Sequence, residues 1–524
     1  MRTLSWLARC LLVCLVAVGI LGGAATPPPE PAEPEPAAPA ATDQTYQTLD
    51  TFLREQIEDL GIPGAAVAVV HHGAPVHSAA FGRADESGRP MTVQTPVLLA
   101  STSKSLTAIA VMQQVEAGRL RLDEPVQTYL PWFTMDSNKS SAITVRHLLH
   151  QSSGMASKDT AFEASDAQDP AALEQGVRDL ADAALAGVPG RAFHYASANF
   201  NILGMLVQTV SGQPFGEYLE QHVFGPLDMT HSHPTRAEAR SDNAAAGHAL
   251  WFGRFWRQTD VPAPTTGMPS STLYSSAEDL GHELIAMLDG GTYRGARILQ
   301  LESVAAMLEP AVQVEGSKWY AMGWFTRPLV ESTDAEEPSV PEEELPLLVE
   351  HQGEWGNSHT YLAMVPDSGL GLALVINGND TAAPSRLKAI DTNLLRILHG
   401  QSPIDPVIHE DWLQRNSWAV ALALLVAELL SLGLVLRFLL QRQPGSKKRR
   451  APLVWAAVAL ALDGFALWLC FIYAPVQFDT HLLVILRQFP DVGISLVPVL
   501  MLAILWPIPR TIWLLMGLIK AHPE

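Results

Sequence analysis

Three long apolar runs near the C-terminus constrain the folding of this chain more than any other feature. Trp418 to Leu436 holds 19 residues with Glu428 as its one charge, Ala451 to Ala474 holds 24 with Asp463 as its one charge, and Val492 to Ile508 holds 17. Runs of this length and polarity fit helices that cross a bilayer. A short apolar continuation, Thr511 to Ile519, follows Arg510. Between the first two runs, residues 441–450 contain Arg442, Lys447, Lys448, Arg449 and Arg450. The positive-inside bias puts such a loop in the cytoplasm, so the first span runs from outside to inside. The expected order is a linker at 401–417, spans at 418–440, 451–474 and 491–519, the basic loop at 441–450 and an external loop at 475–490. Glu428 and Asp463 are read as neutral or packed carboxyls rather than an ion path.

The other end of the chain agrees with that topology. Arg2 and Arg9 precede an apolar stretch from Cys10 to Ile20, followed by Gly22, Gly23, Ala24 and Ala25. This is the order of a secretory signal, expected over residues 1–25 as a cleaved peptide or a retained anchor. Residues 26–42 (TPPPEPAEPEPAAPAAT) carry seven prolines and three glutamates and read as an extended spacer.

Charge divides in the same places. Of the formal net charge of −20, residues 26–415 carry −26, the tail from Asn416 carries +4 and the leader carries +2. An acidic body argues against nucleic acid as a partner, because phosphate binding needs a basic face. Residues 15–469 contain no cysteine, so the body forms no disulfide and no thiolate zinc site. His71, His72, His231 and His233 lack the H-E-x-x-H spacing of a zinc helix, and neither a metal nor a cofactor is expected.

The body, residues 43–400, alternates helical and strand patterns. An amphipathic segment runs from Leu49 to Leu60, and Ala65–Val70 and Pro75–Phe81 read as strands around His72-Gly73. Tyr361–Val365 and Leu370–Ile376 flank Pro366-Asp367-Ser368-Gly369, a second hairpin. Two terminal hairpins with helices between them predict an α+β domain whose sheet is built from both chain ends. Residues 331–344 (ESTDAEEPSVPEEE) read as an acidic surface loop.

The chemistry centres on Leu99 to Leu122, LASTSKSLTAIAVMQQVEAGRLRL. Ser101 occupies a predicted N-cap, Leu106, Ile109, Val111, Met112 and Val115 have helical spacing, and Gly118 stops the helix. Ser101 and Lys104, three residues apart, stack on one helical face. A serine hydroxyl is a weak nucleophile, and a neighbouring amine held toward neutrality by burial can activate it. The helix N-terminus adds a positive field for a developing oxyanion. S-x-x-K recurs at Ser385 to Lys388, which reads as a surface helix.

Context separates the first copy. Thr92–Phe133, Thr144–Met155 (TVRHLLHQSSGM), Tyr195–Gly204 (YASANFNILG), Phe224–Thr230 (FGPLDMT) and His351-Gln352-Gly353 occur in that order. From about Tyr46 to Leu398 the chain resembles the serine β-lactamase and penicillin-binding superfamily, in its branch of class C β-lactamases, D-alanyl-D-alanine carboxypeptidases and esterases. The resemblance implies an antiparallel sheet flanked by helices plus a helical subdomain, here followed by an α-helical transmembrane domain. It implies Ser101 as nucleophile, Lys104 as its activating partner and Tyr195 as a proton-exchanging group. His351 and Gly353 fall on the strand lining the cleft, and the backbone N–H groups of Ser101 and Glu354 would form an oxyanion hole. Ser197 stands where the family's Y-x-N motif has asparagine and His351 where true β-lactamases have lysine. Both departures lower the expectation for β-lactam turnover. A protonated His351 would instead favour carboxylate substrates as pH falls from 8 to 6.

The leading reading is an exported, multi-pass membrane protein with an extracytoplasmic serine hydrolase. Its expected partners are a small-molecule or peptide substrate, such as a peptidoglycan stem peptide or an acyl ester, and membrane lipid. The alternative from another class is a non-catalytic penicillin-binding sensor of the cell wall. A transporter ranks last, because three spans leave little room for a pathway.

Overall fold

The computed structural model describes residues 42–135, 139–156, 165–169, 171–329, 341, 344–440, 451–478, 480–509 and 511–512. The expected signal, the spacer up to Ala41, the basic loop at 441–450 and most of the acidic 331–344 segment lie outside the described residues.

An eight-stranded antiparallel sheet forms the frame. Its strands are β1 (Gly64–His71), β2 (Ala74–Gly82), β3 (Val312–Glu315), β4 (Lys318–Tyr320), β5 (Phe325–Pro328), β6 (Leu347–Trp355), β7 (Ser358–Val365) and β8 (Leu370–Ile376), in spatial order β2-β1-β8-β7-β6-β5-β4-β3. The β1–β8 pairing, Ala65 opposite Ile376 through His71 opposite Leu370, joins the two ends of the domain in mid-sheet. Both hairpins form where turn chemistry favours them: His72 and Gly73 take φ of 47° and 75°, and Gly369 takes 63°. These left-handed values suit a tight connection between twisted strands.

Alternation along β1 divides the core. Ala66, Ala68 and Val70 face the larger core, whereas Ala65, Val67 and Val69 face a smaller one on the opposite side. The smaller core is closed by α1 (Asp43–Leu60) and α5 (Ser385–Leu398). Helix α1 begins earlier than its apolar pattern because Thr42 and Thr45 form a reciprocal cap.

The larger core joins the sheet to α2 (Ser103–Glu116), α3 (Ser197–Ser211) and α4 (Ala277–Leu288). Small residues at Ala66 and Ala68 let α4 approach, and a Cβ on Gly281 would lie 3.4 Å from Val70. Helix α2 is nearly covered all round, Leu106 and Ile109 being fully buried, so its position is set by packing rather than by amphipathicity.

The C-terminal part continues with α6 (Ser417–Leu440), α7 (Ala451–Trp468), α8 (Leu482–Gln488) and α9 (Pro490–Leu505). Among the described residues, helical stretches Leu460–Gln477 and Pro490–Pro509 are long and apolar enough to cross a membrane, and Ser417–Ser431 is a shorter apolar helix. Two of the three expected runs therefore meet the length and polarity of a span within the described residues.

Candidate active site

The Ser101 turn departs from the expected N-cap. Ala100–Thr102 forms a 3-10 turn and α2 starts only at Ser103. Ala100, fully buried, adopts φ 50°, a left-handed conformation that costs about 1–3 kcal/mol for a residue with a Cβ. Leu98, Tyr274 and Trp355 pack around it, so surrounding structure holds the sharp bend. Ser101 projects from that bend just ahead of the helix N-terminus, where unpaired backbone donors and the helix dipole favour negative charge.

Two groups converge on the hydroxyl. Lys104 Nζ donates to Ser101 Oγ at 3.0 Å and to the carbonyl of Ser270 at 2.8 Å. Tyr195 OH donates to Ser101 Oγ at 2.8 Å. Lys104 is fully buried, and its Nζ lies 4.9 Å from the centre of the Tyr195 ring and 5.8 Å from that of Phe200. This is the geometry needed to take a proton from serine and return one to a leaving group.

Tyr195 is held by residues that the motif reading left unassigned. Gln151, itself at φ 53°, accepts from Ala196 N through Oε1 at 3.0 Å and from His194 N through its carbonyl at 2.7 Å. The backbone on both sides of Tyr195 is thus tied to one side chain and its own peptide. Gln151 sits within TVRHLLHQSSGM, but nothing in that block distinguishes it from a surface glutamine. The Ser270 carbonyl was equally invisible, since a backbone acceptor 166 residues from Lys104 leaves no mark on residue type.

Ser197 opens α3 and lines the same cleft as Ser101 and Tyr195. Asn199 is not a displaced substitute for the family asparagine. It donates to Gln151 Oε1 at 2.5 Å and accepts from Ser153 Oγ at 2.6 Å, both buried.

On the sheet side, β5 pairs with β6 only through Leu347–Glu350. Residues 351–355 run on past the end of β5, and β6 packs on the Ser101 turn. Gly353 permits that approach: a Cβ there would overlap the Leu99 carbonyl and Thr360 Oγ1 and sit 3.2 Å from Ser101 N. Glu354 lines the cleft, and its carboxylate pairs with Lys388 Nζ at 2.9 Å. The second S-x-x-K thus supplies a half-exposed lysine to the rim, while its Ser385 bonds to His409 backbone.

His351 corrects the expectation of a protonated carboxylate binder. It is 1% exposed, with its ring centre 5.2 Å from Phe325 and 6.4 Å from Tyr195. Its Nδ1–H donates to the Gln352 carbonyl at 2.7 Å, which leaves Nε2 as an acceptor toward Tyr320 OH. Burial, and then the Lys104 charge, push its pKa down to about 3. A neutral imidazole in this aromatic wall offers no cation to a substrate. Sequence alone did not reveal this because Tyr320 and Phe325 come from short strands of weak pattern.

The cleft holding Ser101, Tyr195, Ser197 and Glu354 encloses about 340 Å³. A roomier cavity of about 750 Å³ lies beside Asp179, Asp182 and Thr266, so converging chemistry rather than size identifies the site. Among the described residues no group of three His, Cys, Asp or Glu side chains is placed to hold a metal.

Comparison with known proteins agrees with this frame. The Beta-lactamase family model matches residues 49–395. The chain belongs to the beta-lactamase family. It is 31% identical over 331 residues to penicillin-binding protein 4 of Amycolatopsis lactamdurans, covering 60% of this chain and 81% of that protein. Protein Flp of Staphylococcus aureus strain MW2 is 25% identical over 355 residues, and the match spans 66% of each chain. Among solved structures, the octameric penicillin-binding protein homologue from Pyrococcus abyssi aligns with a TM-score of 0.56 and 25% identity, over 68% of this chain and 78% of that one. The expected superfamily and its antiparallel sheet with flanking helices are therefore correct.

Proposed function

We propose that the protein is a membrane-anchored serine hydrolase that works through an acyl-enzyme on Ser101. The observation that carries this reading is the convergence of Lys104 Nζ and Tyr195 OH on one hydroxyl, at 3.0 and 2.8 Å. With the Lys104–Tyr195 pair one proton short, as amine and phenol or ammonium and phenolate, Ser101 Oγ attacks the substrate carbonyl and its proton passes to that pair. The tetrahedral oxyanion faces the backbone N–H groups of Ser101 and Glu354. As it collapses, the bond to the leaving group breaks and the pair returns the proton to that group. Water then repeats the sequence on the ester, releasing the acid and restoring the serine.

The substrates are D-alanyl peptides or small acyl esters, with β-lactams behind. Neutral His351 and the short Ser197 side chain both weaken recognition of a substrate carboxylate and amide. The acidic body lies outside the membrane and the C-terminal helices anchor it, in keeping with the charge partition and the two apolar helices. Labelling of the full chain by a fluorophosphonate or fluorescent penicillin, lost in Ser101→Ala, tests the reading. Equal labelling of both proteins refutes it.

A sensor reading has one observation in its favour, namely that part of the cleft wall comes from the segment between the last two apolar helices. Stoichiometric acylation without turnover of any ester or peptide would select it over hydrolysis.

A further inference from the structure

The cleft around Ser101 is closed on one side by residues from outside the family-matched region. Phe478, Thr480, Val484, Gln488 and Phe489 line it together with Ser101 and Tyr195, whereas the family match ends at residue 395. All five belong to the stretch joining the helices Leu460–Gln477 and Pro490–Pro509, the two among the described residues that are apolar and long enough to cross a membrane.

The stretch is packed on the body. Val484 is 2% exposed, while Ile485 is fully buried among the C-terminal helices. Gln488 Nε2 donates to the Pro262 carbonyl at 3.3 Å, and Phe252 N donates to Asp491 Oδ2 at 3.0 Å. Gly356, in the turn after β6, lies so close that a Cβ there would overlap the Gln488 carbonyl. Phe478 and Phe489 lie against each other with ring centres 4.7 Å apart and planes tilted by 50°. The cleft therefore has a polar end at Ser101 and an apolar wall at Phe478, Val484 and Phe489.

We propose that this inter-helix segment is a specificity wall, and that the preferred acyl donor carries an apolar chain which it receives at the membrane surface. The proposal rests on the serine hydrolase reading. An apolar wall of this kind binds methylene groups that would otherwise stay in water, and each fully buried methylene is worth about fourfold in binding. Because the wall is continuous with two apolar helices, a chain reaching it is already at the level of the lipid headgroups.

The test uses the full chain in nanodiscs and p-nitrophenyl esters lengthened on the acyl side from acetate to octanoate, with a parallel series of acetate esters of longer alcohols. Wild type is expected to gain about two- to fourfold in kcat/KM per methylene in at least one series. Phe489→Ala and Phe478→Ala should cut the long-to-short ratio about tenfold or more, and Phe489→Leu should restore most of it. Fluorophosphonate labelling of Ser101 in each variant establishes that the site is folded. Ratios flat in both series, or unchanged in the alanine variants that still label, overturn the proposal while leaving the hydrolase reading intact. Turnover that survives Ser101→Ala overturns the hydrolase reading itself.

Discussion

Glu283 lies on α4 with no exposed surface, within the core that supports helix α2. Burial pushes its carboxyl up to about 8, offset only in part by the Ser105 hydroxyl. In the unfolded chain the same group ionises near its ordinary value of about 4.3. Between those limits the folded state holds a proton that the unfolded state has lost. The stabilisation is therefore complete below about pH 4 and drains away as pH rises toward 8. The slope is about 1.4 kcal/mol per pH unit, which gives roughly 2 kcal/mol between pH 6 and pH 8. Glu283→Gln keeps the shape and removes the titration. Thermal unfolding of both proteins, followed by tryptophan fluorescence in the same detergent at pH 6, 7 and 8, isolates this group, because other titrations cancel in the difference. Unfolding entropy per residue, applied to a domain of this size, converts roughly 2 kcal/mol into about 3 °C. Tm of the variant should gain about 3 °C on wild type from pH 6 to pH 8. Parallel pH profiles, or a wild type that gains on the variant, would refute a neutral buried carboxyl.

Gly353→Ala places a methyl group against the Leu99 carbonyl and Thr360 Oγ1, and should lower the rate of Ser101 labelling about 100-fold by displacing β6 from the nucleophile turn; a rate within threefold of wild type contradicts the close approach. Tyr195→Phe removes the 2.8 Å hydrogen bond to Ser101 and should reduce kcat by about 10² to 10⁴ with little change in Tm, read by ester turnover and calorimetry. With His351 held neutral by a pKa of about 3, the ratio of activity on carboxylate and neutral esters should not rise from pH 8 to pH 6; a rise abolished by His351→Asn would restore the protonated role.

The features legible in the sequence were those fixed by local chemistry. His72-Gly73 and Pro366–Gly369 announced their hairpins because few residues accept those turn conformations. The three-residue spacing of Ser101 and Lys104 survived the substitution of a 3-10 turn for the expected N-cap, since either geometry leaves both on one side. Features set by distant partners were not legible. Ala100 carries no sign of its left-handed backbone, which is imposed by Leu98, Tyr274 and Trp355 around it. His351 read as a cleft-lining group open to protonation, and its enclosure depends on Tyr320 and Phe325 from separate strands. Segment 478–489 read as a connection between spans, and its place in the cleft depends on contacts with Pro262, Gly356 and Phe252 that no periodicity encodes.

In the proposed reaction Ser101 becomes covalently acylated with the help of Lys104 and Tyr195. Intact-protein and peptide mass spectrometry of the full chain after a brief incubation with a fluorescent penicillin or a fluorophosphonate measures this directly. A single adduct is expected on the peptide containing Ser101, absent in Ser101→Ala and formed at least 100-fold more slowly in Lys104→Met. An adduct on another residue, or one that persists in Ser101→Ala, would contradict it.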